Sequence, residues 1–218
     1  MTIRLFVFDL DGTLVDSLRD LADSANALLA ACGARPLGEA AIGGMVGDGA
    51  ATLVARAFSA AGVPTPAGAL DRFLAIYDTK LLDHTRPYEG IPGVLAALGA
   101  RTSLAVLTNK PLAATRRILE GLDLARFFDD DAILGGDGPF SRKPDPAGLL
   151  HLCAAAGVGA GEAMMVGDSV ADWRTARHAG THICLVRYGF GFREFPPAEL
   201  GGVETVIDRP ADLLGLPC

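Results

Sequence analysis

The sequence predicts an α/β fold, a mostly parallel β-sheet with helices on both faces, interrupted near its start by an inserted helical segment. Short apolar runs of strand length alternate with amphipathic stretches along most of the chain, which is the rhythm of βαβ units. Between Asp16 and about Thr85 that rhythm stops, and apolar residues recur only at helical spacing. The chain has 218 residues, 50% of them hydrophobic, enough for one core of ordinary size with a smaller second lobe.

The strands are expected at residues 3–8, 103–107, 132–134, 163–166, 182–186 and 205–207. The first, second and fourth run directly into Asp9, Thr108 and Asp168. Ligands of open parallel sheets bind beyond the carboxyl ends of the strands, so these residues are expected to share one crevice. In the intervening segment, Leu18, Leu21, Ala22, Ala25, Leu28 and Leu29 form one helical stripe, and Leu53, Val54, Ala57 and Phe58 form another. Glycine and proline at residues 33–36 and 62–66 break the segment into separate helices. The expected partition is residues 1–15 and 86–218 as the α/β core and residues 16–85 as a helical insertion.

Nineteen basic and 26 acidic residues give a formal net charge of -7, which disfavours a nucleic-acid-binding surface. A small anion needs only a local positive pocket. No apolar stretch approaches the roughly 18 residues a membrane span requires, and the amino terminus lacks a signal-peptide pattern. Cys32, Cys153, Cys184 and Cys218 are scattered and form no C-x-x-C pair. A reduced, cytoplasmic protein, monomer or homodimer, is expected.

The most informative segment is Asp9-Leu10-Asp11-Gly12-Thr13, which follows the first apolar run. Side chains two apart at a strand end project to the same side, and Gly12 allows a sharp turn, so two acids with different tasks can face one crevice. Taken alone, the segment also fits a strand followed by an ordinary turn. Three later segments argue against that simpler reading: Leu107-Thr108-Asn109-Lys110, Lys143-Pro144, and Gly167-Asp168-Ser169-Val170-Ala171-Asp172.

With these four ordered segments, nearly the whole chain resembles the haloacid dehalogenase superfamily. Met45-Val46-Gly47-Asp48-Gly49-Ala50, Thr85-Arg86-Pro87-Tyr88-Glu89-Gly90-Ile91 and Tyr188-Gly189-Phe190-Gly191 are similar to segments of its phosphoglycolate phosphatases. The resemblance implies a Rossmann-like core with residues 16–85 as a helical cap closing over the site. It also implies Mg²⁺-dependent hydrolysis of a small phosphate ester, 2-phosphoglycolate foremost, through an aspartyl-phosphate.

The expected roles follow from charge. A carboxylate approaching a phosphate dianion meets roughly 4 kcal/mol of repulsion per charge pair at ~4 Å and an effective dielectric near 20. Asp9, the expected nucleophile, therefore needs cations. Asp168 could join it in holding Mg²⁺, and Asp172, four residues on, falls on the same side if a helix starts near Ser169, so it would ligate directly or through water. Asp168 and Ser169 equally suit a helix N-cap. By resemblance, the Asp11 backbone carbonyl is a further ligand, leaving its side chain to donate a proton to the leaving oxygen and then to activate water. Asp11 is expected to hold that proton because an anion lies beside it.

Lys143, one of three lysines with Lys80 and Lys110, offers a compact cation to Asp9 and the transferring phosphoryl group. Thr108 offers a hydroxyl, and Asn109 backbone or amide donors, to the phosphate oxygens. Gly47, Asp48 and Gly49 form a cap loop that could approach the substrate, and Arg56 and Arg86 are candidates for a substrate carboxylate. Four alternatives remain open at this level: a sugar phosphomutase, a broad sugar-phosphate or nucleotide phosphatase, a phosphonate-cleaving enzyme using Lys80 as an imine former, and a non-catalytic phosphate-binding module.

Overall fold

In the computed structural model, residues 2–196, 198, 200–202 and 204–218 are described. β1 (Leu5–Phe8) lies inside a six-stranded sheet between β4 (Ser103–Leu107) and β6 (Ala163–Gly167). Beyond them come β5 (Ile133–Leu134) on one side, and β7 (His182–Val186) then β8 (Thr205–Ile207) on the other. Every pairing in this sheet is parallel. All six expected strands are present, the first beginning at Leu5 rather than residue 3.

Alternation along the strands divides the apolar interior into two cores. Phe6, Phe8, Val106 and Val166 face one side, against Leu95 and Leu98 of α5 (Ile91–Gly99) and Ile118 and Leu119 of α6 (Leu112–Gly121). Leu5, Val7, Leu107 and Met165 face the other, against Leu149 and Leu152 of α7 (Ala147–Ala155) and Trp173 and Ala176 of α8 (Val170–Ala179). Both faces of the sheet are thus buried, as a parallel sheet requires. From β1 the chain continues to β4 and β5 on one side and then crosses to β6 on the other. The connections diverge beside β1, which places the crevice at its carboxyl end.

The insertion leaves and rejoins the core at one point. β2 (Val15–Asp16) pairs antiparallel with β3 (Arg86–Pro87), Val15 opposite Pro87 and Asp16 opposite Arg86. Between them lie α1 (Leu18–Ala31), α2 (Glu39–Gly43), α3 (Ala50–Ala61) and α4 (Ala69–Asp78). The stripes on α1 and α3 are buried as their spacing implies, except that Leu18 is only partly covered. The paired strands β2 and β3 are too short to leave a periodic signature in sequence.

Asp20, on the first turn of α1, fastens the two ends of the insertion. Its carboxylate accepts from the His84 and Thr85 amides at 2.8–3.0 Å and from Thr85 Oγ1 at 2.7 Å. Asp20 and Thr85 are buried, so removing the carboxylate strands these donors without water. Asp20→Ala is expected to lower the unfolding free energy by about 3 kcal/mol, the scale of a lost charged hydrogen-bond set, as read by urea denaturation.

Candidate active site

Asp9 is the first residue beyond β1, and its amide donates to the Val166 carbonyl at 2.9 Å, so the sheet ladder fixes its backbone. Gly12 turns the chain at φ +83°, in the left-handed region. Asp168 and Asp172 bracket the amino end of α8, and with Asp9 they offer carboxylate oxygens that all lie within 4.8 Å of one another. All three are buried.

Lys143 joins this group from the β5–α7 loop. Its Nζ lies 2.8 Å from Asp9 Oδ1 and 2.6 Å from Asp172 Oδ1. The other Asp172 oxygen accepts from the Ser169 amide at 3.0 Å and from Ser169 Oγ at 2.6 Å, and Ser169 Oγ in turn accepts from the Asp172 amide. The helix-capping role open to Ser169 and the charged role of Asp172 are therefore realised together. Asp172 meets Lys143 with one oxygen and the α8 cap with the other.

Burial pushes Asp9 up to about 6, with Lys143 opposing the rise and Asp172 adding to it. Asp168 is raised well above the ordinary carboxylate range, first by burial and then by Asp172 and Asp9. For Lys143, burial acts downward, but Asp172 and Asp9 outweigh it and hold the ammonium charged. With all three carboxylates ionised against one ammonium, two negative charges would be in excess, which a divalent cation matches in charge and in its preference for oxygen ligands. Asp168 Oδ2 accepts from the Gly191 amide at 2.8 Å, which orients the carboxylate toward the cluster.

Glycines create the space for Asp168. A Cβ added at Gly12 or Gly189 would overlap its carboxylate, and one at Gly191 would come within 2.9 Å of Oδ2. The segment from Tyr188 to Phe192 reads in sequence as aromatic packing, and Tyr188 does contact Tyr88 at 4.7 Å between ring centroids. It also supplies the close backbone floor beneath Asp168, a role that needs the absence of a side chain and so leaves little chemical signal.

Thr108 and Asn109 follow β4, beside β1. Thr108 lines the cavity above Asp9, and its Oγ1 accepts from the Lys110 amide at 3.3 Å. Asn109 does something other than offer its amide to phosphate. Its Oδ1 accepts from the Lys143 amide at 2.8 Å, while Nδ2 donates to the Lys143 carbonyl at 3.0 Å and the Gly47 carbonyl at 2.8 Å. One side chain thus fixes the backbone of the lysine and ties the insertion to the core. Gly47 and Gly49 line the cavity at φ +115° and +88°, whereas the Asp48 carboxylate pairs with Arg56 at 2.6 Å.

Sequence reasoning passed over Lys110. Its Nζ lies 2.9 Å from both Asp11 oxygens and 2.6 Å from Tyr77 Oη, contributed by α4. Ser17 Oγ donates to Asp11 Oδ1 at 2.5 Å. The charged partner of Asp11 in this structure is thus Lys110. Burial lowers the affinity of Lys110 for its proton, yet Asp11 and Tyr77 more than compensate and raise it. The available signal was spacing: Thr108 and Lys110 repeat, on the neighbouring strand end, the separation of Asp9 and Asp11. Neither arginine considered for a substrate carboxylate lines the cavity. Arg86 donates to the carbonyls of Leu82, Asp83 and Thr85, and Arg56 serves Asp48 and the Met45 carbonyl.

The cavity, about 200 Å³, lies between the insertion and the core, with Asp9, Asp11, Thr108 and Lys110 at one end and Leu53, Phe73 and Leu81 on its insertion side. Lys80 lies outside it, in the turn after α4, 3.9 Å from Asp83. Burial raises the Cys153 thiol and pushes Cys184 up to about 12, which removes thiolate chemistry from both. Among the described residues, no helix is long and apolar enough to cross a membrane.

Gly189→Ala is expected to displace Asp168 and reduce activity on a phosphate ester by on the order of 10²-fold, the scale of a 1 Å misplacement. Steady-state kinetics beside an unchanged far-ultraviolet circular dichroism spectrum checks this.

The arrangement can be compared with known proteins. The family model for haloacid dehalogenase-like hydrolases matches residues 6–186. A phosphoglycolate phosphatase of Rhodospirillum rubrum is 45% identical over 225 residues, covering 98% of this chain and 92% of that protein. An N-acetylmuramic acid 6-phosphate phosphatase of Pseudomonas aeruginosa is 33% identical, covering 98% and 94%. A crystal structure described as a predicted phosphoglycolate phosphatase from Haemophilus somnus superposes with a TM-score of 0.88 at 31% identity, covering 99% of this chain and 98% of that one. An aspartate at the end of the central strand, a carboxylate cluster with its lysine, and a family match spanning most of the sheet coincide on the same residues, and the chain is a phosphatase belonging to the haloacid dehalogenase-like hydrolase family.

Proposed function

We propose that this phosphatase hydrolyses 2-phosphoglycolate to glycolate and phosphate, using Mg²⁺ and a phosphorylated Asp9. The observation that carries this reading is the convergence of Asp9, Asp168, Asp172 and Lys143 in one buried cluster, from which Asp9 reaches the wall of the cavity. Phosphoglycolate is the activity named for the relative that is 45% identical. The 33% identical relative names a sugar-acid phosphate, so esters of that size belong in the substrate panel.

Asp9 and Asp168, with Asp172 behind them, would hold the ion, and Asp11 would join through its backbone carbonyl. When bound, Mg²⁺ supplies positive charge to the phosphoryl oxygens and to the two acids. Lys143, already held against Asp9, offsets repulsion between the carboxylate and the phosphate dianion. Thr108 offers its hydroxyl to a phosphoryl oxygen. Asp9 attacks phosphorus in line, the phosphorus–oxygen bond to the glycolate breaks, and Asp11 gives a proton to that leaving oxygen. Asp11 then takes a proton from the water that cleaves the aspartyl-phosphate, releasing phosphate and restoring Asp9. Asn109 fixes Lys143 throughout, and residues 16–85 act as the cap that shields the cavity from bulk water.

Asp9→Asn is expected to abolish phosphate release while the thermal unfolding midpoint stays near wild type. Removal of divalent ions by a chelator is expected to stop turnover, and Mg²⁺ to restore it. Phosphate-release assays on phosphoglycolate, hexose phosphates and nucleoside monophosphates check all of this, and wild-type activity in the Asn variant would reject the assignment of Asp9.

A further inference from the structure

We infer that Lys110 selects an ester with a carboxylate tail by exchanging that carboxylate for Asp11 as its counter-ion. The inference rests on the phosphatase reading above and goes beyond it by assigning the residue that recognises the non-reacting end of the substrate.

Lys110 is 6% exposed and is the only cationic side chain lining the cavity among the described residues. A buried ammonium needs an opposite charge beside it, because leaving one unpaired is strongly unfavourable. Its anion in this structure is Asp11, which spends both oxygens on it. Asp11 is also the acid–base group, and it cannot reach a leaving oxygen while it is clasped between Lys110 and Ser17. The two demands conflict unless another anion enters the cavity and takes its place.

A carboxylate tail is the natural replacement, since it carries the same charge and the same pair of oxygens as the group it displaces. The amino end of α3, with Gly49 and Ala50 on the cavity wall, adds a favourable partial charge on the insertion side. The apolar surfaces of Leu53 and Phe73 lower the local dielectric and strengthen the pairing. Tyr77 Oη, 2.6 Å from Nζ, keeps the ammonium in place while its anion changes. An ester without a negative tail would occupy the phosphoryl site yet leave Asp11 clasped, so its deficit should fall on turnover and not only on binding.

The test compares 2-phosphoglycolate with 2-hydroxyethyl phosphate, whose tail is neutral, in the wild type and in Lys110→Met, with Mg²⁺ present. The wild type is expected to favour phosphoglycolate by about 10²-fold in kcat/KM, with most of the difference in kcat. In Lys110→Met the preference should shrink to within about threefold, the scale on which such sites stop discriminating. A preference that survives in Lys110→Met, or one confined to KM in the wild type, overturns the exchange. If Lys110→Met does not fold, adding 2-aminoethyl phosphate to the wild-type series gives the same information. The order anionic, neutral, cationic in kcat supports the inference, and equal kcat values overturn it. Equal release from all three esters leaves the phosphatase reading intact and removes only the role of Lys110, whereas release from none removes both.

Discussion

The structure is organised by a charge that has to be balanced. Asp9, Asp168 and Asp172 lie buried with carboxylate oxygens within 4.8 Å of one another, and among the described residues Lys143 is the one cation paired with them. At such separations each carboxylate pair repels by roughly 3 to 4 kcal/mol in an effective dielectric near 20. A fold that tolerates this must hold the groups by other means. Three different parts of the chain do so: the β1–β6 ladder fixes Asp9, the α8 cap fixes Asp172, and glycine backbone encloses Asp168. The repulsion that remains is a standing demand for positive charge, and a phosphate-transfer site makes use of that demand.

Lys143 and Lys110 divide the available positive charge between two tasks. Lys143 belongs to the carboxylate cluster, with its backbone gripped at both amide and carbonyl by one asparagine. Lys110 belongs to Asp11 and, through Tyr77, to the insertion. Both are compact ammonium groups in a chain that uses arginine for most of its surface pairs, such as Arg116 with Asp130. A point charge with rotatable donors suits a partner that changes during a reaction better than a rigid fork does.

Much of the core was legible in sequence because its signals are periodic. The six strands show as apolar runs, and three of them end on Asp9, Thr108 and Asp168, where side chains meet across strands. What escaped were features that depend on direction and not on residue type. Asn109 has the donors expected of a phosphate ligand but turns them to the Lys143 backbone and Gly47. Arg56 and Arg86 have the right charge for a substrate carboxylate but do not line the Asp9 cavity, and Arg56 pairs with Asp48 while Arg86 donates to backbone carbonyls. Lys110 stood beside a recognised motif and drew no role because its partners, Asp11 and Tyr77, are 99 and 33 residues distant. Contacts of that range are set by how separate segments pack together in three dimensions, which no local pattern encodes.

The short β2–β3 ribbon has a consequence for how such a molecule can change over evolutionary time. Because the chain departs and returns at adjoining positions, the segment between them can grow or shrink without moving either anchor. Doubling the length of a flexible loop adds only about 0.6 kcal/mol of closure entropy. The insertion is therefore nearly free to be remodelled, while the acid cluster in the core, crowded and fixed, has almost no latitude at all.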